Sequence, residues 1–196
     1  MKSYAATLAA LFAASTEARV WFGECPSVEW NTGFDHAAFA GQWYEQERDA
    51  VFTFEMGQMC STGNYVLNSD GLLDVQYRAL IPMNFYQYGQ SPQGVMDCTG
   101  GFDCKITMGE SSDPVTWGIL ATDNDNWHVT WWCGEMMGVQ YSWLGIYGKQ
   151  PEISEEHLAQ AHAAVEDKLP GYALGWPWMK KSVQGEFFGG QCQYEW

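Results

Sequence analysis

Six cysteines, four histidines and two glutamates one residue apart are the groups whose types and spacing could do chemistry in this chain. Cys25, Cys60, Cys98, Cys104, Cys133 and Cys192 follow no Cys-x-x-Cys zinc framework. An even set in an exported chain reads as disulfides, which leaves no thiolate for nucleophilic work. Six cysteines allow fifteen pairings; the closeness of Cys98 and Cys104 across the glycine turn 99–103 suits a clamped hairpin. Of His36, His128, His157 and His162, the last two are five apart on a helical stretch and do not share a face well. No His/Asp/Glu cluster has metal-ligand spacing, and no metal site is expected. Neither a Gly-x-Ser-x-Gly elbow nor a phosphate-binding glycine loop is present, so no catalytic residues are assigned and the chain is not expected to be an enzyme. Glu45 and Glu47 alternate with Trp43 along one strand and are placed on its face. Buried there, they would have to pair, bond tyrosines, lie near an open mouth or meet a cationic ligand.

These groups sit in a chain of 196 residues, a length that fits one domain. Aromatic residues make up 16% and tryptophans number eleven, well beyond ordinary usage. A formal net charge of −15 argues against a nucleic-acid backbone or an anionic membrane as partner. Residues 1–18 read as a signal peptide: Lys2 opens a basic start, an apolar run follows from Tyr4, and Thr16-x-Ala18 or Ala13/Ala14 offers cleavage points. No later run is long and apolar enough to span a bilayer. Residues 19–196 are therefore expected as a single domain in the secreted or lumenal compartment.

Short alternating runs dominate that domain. Strands are predicted over 41–48, 60–67, 73–80, 94–99, 104–108, 117–121, 127–133 and 140–147, with a further short one at 179–184. Asn68-Ser69-Asp70-Gly71 and Asp123-Asn124-Asp125-Asn126 supply turns. One helix begins after Ser154, carries Glu155 and Glu156 in its first turn, and presents Leu158, Ala161, Val165 and Leu169 as one stripe before Pro170-Gly171 stops it. This is an all-β chain with one C-terminal helix to lay against its flank. Alternation places Glu45, Tyr65, Val75, Tyr77, Trp117, Val129, Trp131, Tyr141 and Trp143 on faces that could line an interior, and a one-residue slip would exchange inside for outside. Aromatic walls with a few polar tips suit a flat, conjugated or ring-containing apolar guest. The same rings could instead fill a solid core.

The order of motifs resembles the lipocalin family, and within it the apolipoprotein D group. Gly41-x-Trp43-Tyr44-Glu45, Asn64-Tyr65, Ile119-Leu120-Ala121-Thr122-Asp123, Trp132-Cys133 and Tyr147-Gly148-Lys149-x-Pro151 carry the resemblance across residues 23–192. It implies an eight-stranded antiparallel up-and-down barrel, with interior room for one small ligand. It also implies a barrel floor in which a basic residue covers the Gly-x-Trp indole. That residue is Lys149 over Trp43 here, where the family usually has arginine. Asn124 departs too, standing where a tyrosine is common. The resemblance further implies Cys25–Cys133 and Cys60–Cys192, leaving Cys98–Cys104. The function implied is carriage of a small hydrophobic ligand such as a retinoid, carotenoid, sterol, fatty acid or tetrapyrrole. No cofactor is obligatory, and a bound lipid, carotenoid or other pigment is the expected guest. The competing expectation is a structural or assembly protein with a filled barrel, its tryptophans and glycine-rich tail serving subunit contacts in a homo-oligomer or larger assembly.

Overall fold

The structure, a computed structural model, describes residues 19–30, 34–50, 57–98, 104–108, 115–116, 118–187 and 189–196. The predicted signal peptide and Trp117 lie outside them. In chain order, β1 (Arg19–Phe22) precedes a single turn of helix, α1 (His36–Phe39), and β2 (Gly41–Asp49). Next come β3 (Met59–Leu67), β4 (Leu73–Ile81), a 3₁₀ turn at Pro82–Asn84 and β5 (Gln87–Gln90). They are followed by β6 (Gly94–Asp97), β7 (Lys105–Met108), β8 (Val115–Thr116) and β9 (Gly118–Thr122). The long hairpin of β10 (Trp127–Met136) and β11 (Val139–Gly148) leads to helix α2 (Glu155–Lys168). Three short strands finish the chain: β12 (Met179–Lys181), β13 (Glu186–Phe187) and β14 (Gly190–Gln191).

Hydrogen bonding orders the main sheet β8-β7-β6-β4-β3-β2-β11-β10-β9, every neighbouring pair antiparallel. The path starts at β8 and ends at β9, and these are separated in sequence by residue 117 alone. Two trans peptide steps span no more than about 7.6 Å, so the two ends of the sheet must meet. The sheet therefore closes, with β8 and β9 together forming its eighth stave. Registers place Asp49, Met59, Leu80 and the Met136/Val139 hairpin end at one rim, and Gly41, Leu67, Trp127 and Gly148 at the other. A barrel of this size alternates inward and outward residues along each stave.

Helix α2 forms where its signals predict. Ser154 Oγ accepts the His157 amide at 3.1 Å, Glu155 and Glu156 face the positive end of the helix dipole, and Lys168 sits in the last turn. Ala161, Val165 and Leu169 pack with Leu120, Val129, Trp131, Leu144 and Ile146 on the outside of the barrel, forming a second apolar layer. Trp127 Nε1 donates to Gln160 Oε1, and His162 Nε2 lies 2.8 Å from Glu47 Oε2, pinning the helix across three staves. Between β2 and β3 the seam is part open. The two strands pair only from Gly41 to Tyr44, and above that point β12 pairs β2 from Met179↔Asp49 to Lys181↔Glu47. The chain then crosses to β3, where the Cys60 amide donates to Val183 O at 2.8 Å.

The disulfides are Cys25–Cys133, Cys60–Cys192 and Cys98–Cys104, the pairs that the resemblance implies. The first two span 108 and 132 residues and tie both ends of the chain to the barrel wall, whereas the third spans 6. Loop-closure entropy is worth about 5 kcal/mol for each long pair and about 2 kcal/mol for the short one. Replacing each pair by alanines should lower the urea midpoint most for the two long bridges and least for Cys98–Cys104. Equal falls would show that chain entropy does not govern their contribution.

Candidate functional site

One end of the barrel is sealed from its own sequence. Asp35 caps α1, its Oδ1 accepting the amides of Ala37 and Ala38 at 2.9 and 3.2 Å. The helix ends after one turn and drops Phe39, fully buried, into the barrel. The exposed carbonyls of that turn then gather donors: Phe39 O takes Trp43 Nε1 at 2.8 Å and Lys149 Nζ at 3.0 Å, and Ala40 O takes Lys149 Nζ at 2.7 Å. The ammonium stands 4.0 Å from the Trp43 ring centroid. Gly41 has φ +118°, and a Cβ on it would lie 3.3 Å from that ammonium, so the Gly-x-Trp glycine makes room for the lysine. Burial lowers Lys149 to about 8 against a smaller upward pull from Asp125, which leaves it mostly charged near neutral pH. Asn124 adopts φ +67°, a conformation asparagine tolerates, and its Oδ1 accepts the Asp35 amide at 3.1 Å. The residue that departs from the family pattern thus ties the 123–126 turn to the helix cap.

Above this seal lies His128, fully buried. Its ring stacks on Tyr147 (centroids 4.7 Å apart, planes 6° apart) and meets Trp43 edge to face at 4.6 Å. Neither ring nitrogen meets a hydrogen-bond partner among the described residues. Burial, reinforced by the positive Lys149, pushes its pKa well below the usual histidine value, so the imidazole is neutral. Tyr65 is also buried, its hydroxyl 3.0 Å from that of Tyr77. Burial, then the neighbouring phenol, holds Tyr65 protonated.

Midway up the wall, β2 carries a bulge. Glu45 pairs with Tyr147 and Glu47 with Ile146, so Gln46 is the extra residue. The alternation predicted for Glu45 and Glu47 is therefore broken. Glu45 faces inward with Trp43 and Tyr147, while Glu47 faces outward to His162. After the bulge the next inward side chain is Arg48. Its guanidinium, wholly buried, pairs with Glu45 and donates to Ser61 Oγ at 3.2 Å and Gln58 O at 2.8 Å. Ser182, from the segment after β12, also donates to Glu45. The pair joins β2, β3 and that segment where the seam is part open.

The remaining predicted positions divide cleanly. Tyr65, Val75, Tyr77 and Trp143 belong to the inner apolar cluster, and Tyr141 shares the face of Trp143. Val129 and Trp131 do not: both pack beneath helix α2 in the outer layer. The inward residues of β10 are His128, Thr130 and Trp132, paired with Tyr147, Gly145 and Trp143. The misplacement has a physical cause. The outer face of β10 is buried under the helix, so its apolar set of Trp127, Val129 and Trp131 points outward while His128 and Thr130 point into the barrel, the reverse of the usual assignment. Inside, rings lie flat along the wall at two glycines. A Cβ at Gly63 would meet the Tyr65 and Tyr77 rings at 2.9 and 3.1 Å, and one at Gly145 the Trp143 and Tyr147 rings at 2.6 and 3.0 Å. Toward the open rim, Tyr77, Ala79, Trp132 and Tyr141 remain partly exposed although they face inward. The floor is packed solid, and the space above it is reached by solvent.

Comparison with other proteins agrees with this architecture. The chain is 28% identical to apolipoprotein D of Mus musculus over 171 residues, covering 81% of this chain and 83% of the relative. It is 30% identical to apolipoprotein D of Macaca fascicularis over 143 residues, covering 70% and 73%. Among solved structures, insecticyanin from the tobacco hornworm Manduca sexta superposes with a TM-score of 0.72 at 16% identity, over 90% of this chain and 93% of that one. No family model matches the chain.

Two tests follow from the buried charges. The unfolded chain takes up a proton on His128 as pH falls below about 6.5, whereas the folded chain does not until a much lower pH. Stability is therefore lost through this group as pH falls below about 6.5, by up to about 1.4 kcal/mol per pH unit, until the folded pKa is reached. Urea midpoints measured from pH 7.5 downward should fall less steeply in His128→Phe than in the parent chain. Arg48→Met strands the Glu45 carboxylate and should cost about 3–5 kcal/mol by the same measurement; a neutral result would remove the pair from the account of the seam.

Proposed function

The chain belongs to the lipocalin family, with apolipoproteins D among its relatives, and we propose that it carries one small hydrophobic molecule in the solvent-reached upper part of its barrel. The observation that carries this reading is the contrast between the two halves of the interior. Below, Phe39, Trp43, Tyr65 and His128 interlock with no exposure above 1%. Above, Tyr77, Trp132 and Tyr141 face inward and stay partly exposed, with the Tyr77 ring laid against the wall at Gly63 and the Trp143 ring at Gly145. Rings that lie along a wall leave the centre free and offer flat apolar faces to a guest.

Burial of the guest's apolar surface supplies affinity, and the Tyr77 hydroxyl gives one polar contact to orient it. The favoured cargo is flat or conjugated, as a retinoid, carotenoid, sterol or tetrapyrrole is, with a fatty acid as the flexible alternative. The action is binding and delivery by an exported protein, without turnover. Export is supported by the basic and apolar start of the sequence and by three disulfides.

Absorption spectra and mass spectra of solvent extracts, taken on protein from its native source, test the reading. A stoichiometric chromophore or lipid is expected. A clean protein that also fails to quench its tryptophan fluorescence with any of these ligand classes would overturn it. Gly145→Val should push the Trp143 and Tyr147 rings into the centre and weaken ligand binding by roughly tenfold or more, an overpacking effect of about 1–3 kcal/mol.

A further inference from the structure

A cavity of about 250 Å³ lies on the outside of the barrel, where the N-terminal arm, the β10–β11 hairpin and the end of helix α2 meet. The Cys25–Cys133 bridge pins the arm to β10, which brings Pro26 and Ser27 to the hairpin. Trp131 and Ser142 line the cavity from the outer face, since Trp132 and Tyr141 beside them face inward. The helix stops at Pro170-Gly171, where Gly171 has φ +79°, and its last turn adds Lys168 and Leu169. Three donor groups around this space have no partner among the described residues. The Trp131 side chain is 3% exposed, and its buried Nε1–H meets no acceptor. The Ser142 hydroxyl, also in a buried residue, bonds to nothing in the chain. Lys168 is partly buried and forms no ion pair, and one turn back it finds Ala164 and Val165, not a carboxylate. The helix dipole explains a lysine in the last turn. It does not explain an indole N–H taken out of water with no acceptor, which costs stability unless something outside the chain accepts from it.

Charge and size select the guest. No Asp or Glu lines the cavity. Glu166 and Asp167, next to Lys168 in sequence, are exposed and are not part of its wall. Asp49 is engaged elsewhere: it accepts the Tyr172 hydroxyl at 2.7 Å and the Leu144 amide at 2.9 Å, so Tyr172 offers the cavity its ring and not its O–H. A cation and two neutral donors without a matching acceptor call for an anion that accepts several hydrogen bonds. The rest of the wall, with Pro26, Leu169 and the Trp131 ring, is apolar. We propose that this cavity binds a small carboxylic acid outside the barrel. The carboxylate accepts from Lys168 Nζ, Trp131 Nε1–H and the Ser142 hydroxyl, and a compact apolar body lies against Pro26 and Leu169. Ligand clefts for larger molecules usually hold about 300–1,000 Å³, so the guest here is a single ring or a short chain. The net charge of −15 opposes any anion at long range, which limits affinity to the millimolar order. Binding joins the arm, the hairpin and the helix end, and stabilises the fold by mass action. The site is separate from the lumen and does not depend on the carrier reading.

Fluorine NMR of para-fluorobenzoate titrated with the oxidised chain tests the inference. The parent should broaden the probe's signal saturably, and para-fluorobenzamide, which has the same ring without the charge, should bind roughly tenfold or more weakly. Lys168→Met should weaken binding of the acid by roughly tenfold or more, and Trp131→Phe, which keeps a ring and removes the N–H, by about threefold or more. Lys168→Met should keep the parent's circular dichroism and its quenching of tryptophan fluorescence by retinol. Saturating retinol should not displace the acid, and Gly145→Val should bind the acid as the parent does. Equal binding of acid and amide, undiminished binding by Lys168→Met, or no saturable binding by the parent would overturn the proposal. So would displacement of the acid by retinol, since the probe would then occupy the lumen. Acid binding as expected in a chain that takes up none of the hydrophobic ligand classes would sink the carrier reading and leave the outer site standing.

Discussion

A guanidinium and a carboxylate taken out of water inside a barrel wall set the constraint on which the upper half of this molecule rests. Arg48 and Glu45 are only three residues apart, and strict alternation would send them to opposite faces. The bulge at Gln46 brings both inside, and once inside neither can be left alone, because an unpaired buried charge costs several kcal/mol. Their partners come from Ser61, the Gln58 carbonyl, Tyr147 and Ser182, that is, from both neighbouring staves and from the segment that follows β12. The pair fastens the place where β2 and β3 part company. It also fixes the direction of the outer side chains beyond the bulge: Glu47 is free to meet His162, and Asp49 accepts the Leu144 amide and the Tyr172 hydroxyl. One inserted residue thus assigns four charged side chains to two faces.

The fold was largely legible in the sequence, and the reasons are local. Asp-Gly and Asp-Asn turns, the Ser154 cap and the Pro170-Gly171 stop each act over a few residues and need no tertiary help. The motif order carried the barrel, the floor pair Trp43–Lys149 and the disulfide pairs. The lining was legible only in part. Tyr65, Val75, Tyr77 and Trp143 could be placed because their strands alternate. Val129 and Trp131 could not, since helix α2 covers the outer face of β10 and makes it the apolar one, while His128 and Thr130 face inward. Glu47 and Arg48 exchanged faces at a bulge that has no glycine or proline to announce it. His128, which no spacing in the sequence marks out, is a neutral packing element at the heart of the floor. A polar residue among aromatic neighbours does not reveal by sequence which way it points.

The two ends of the barrel solve opposite problems. The closed end satisfies its carbonyls and carboxylate, from Phe39 O and Ala40 O to Asp123, which accepts the amides of Asp125, Asn126 and Trp127, but buries both ring nitrogens of His128 without a partner among the described residues. Burial alone would raise Asp123, but those hydrogen bonds outweigh it and hold the carboxyl below its usual value. The open end leaves apolar side chains such as Met83, Phe85 and Met137 exposed among the described residues. The closely packed aromatic floor gives that end of the fold its rigidity.

The divided eighth stave has a kinetic side. Every other stave finds a neighbour that lies close in sequence or is joined to it by a hairpin, but β8 and β9 bond to opposite ends of the same sheet. The ring cannot shut until β7 on one side and β10 on the other are in place and the β2–β11 contact, about a hundred residues apart in the chain, has formed. Contacts so remote in sequence form slowly. Until they do, the curled sheet has two bare edges whose amides and carbonyls will accept any strand that arrives first, including one from another copy. The Cys25–Cys133 bridge ties the N-terminal arm to β10, the stave beside the one that must close last, so once formed it narrows the search.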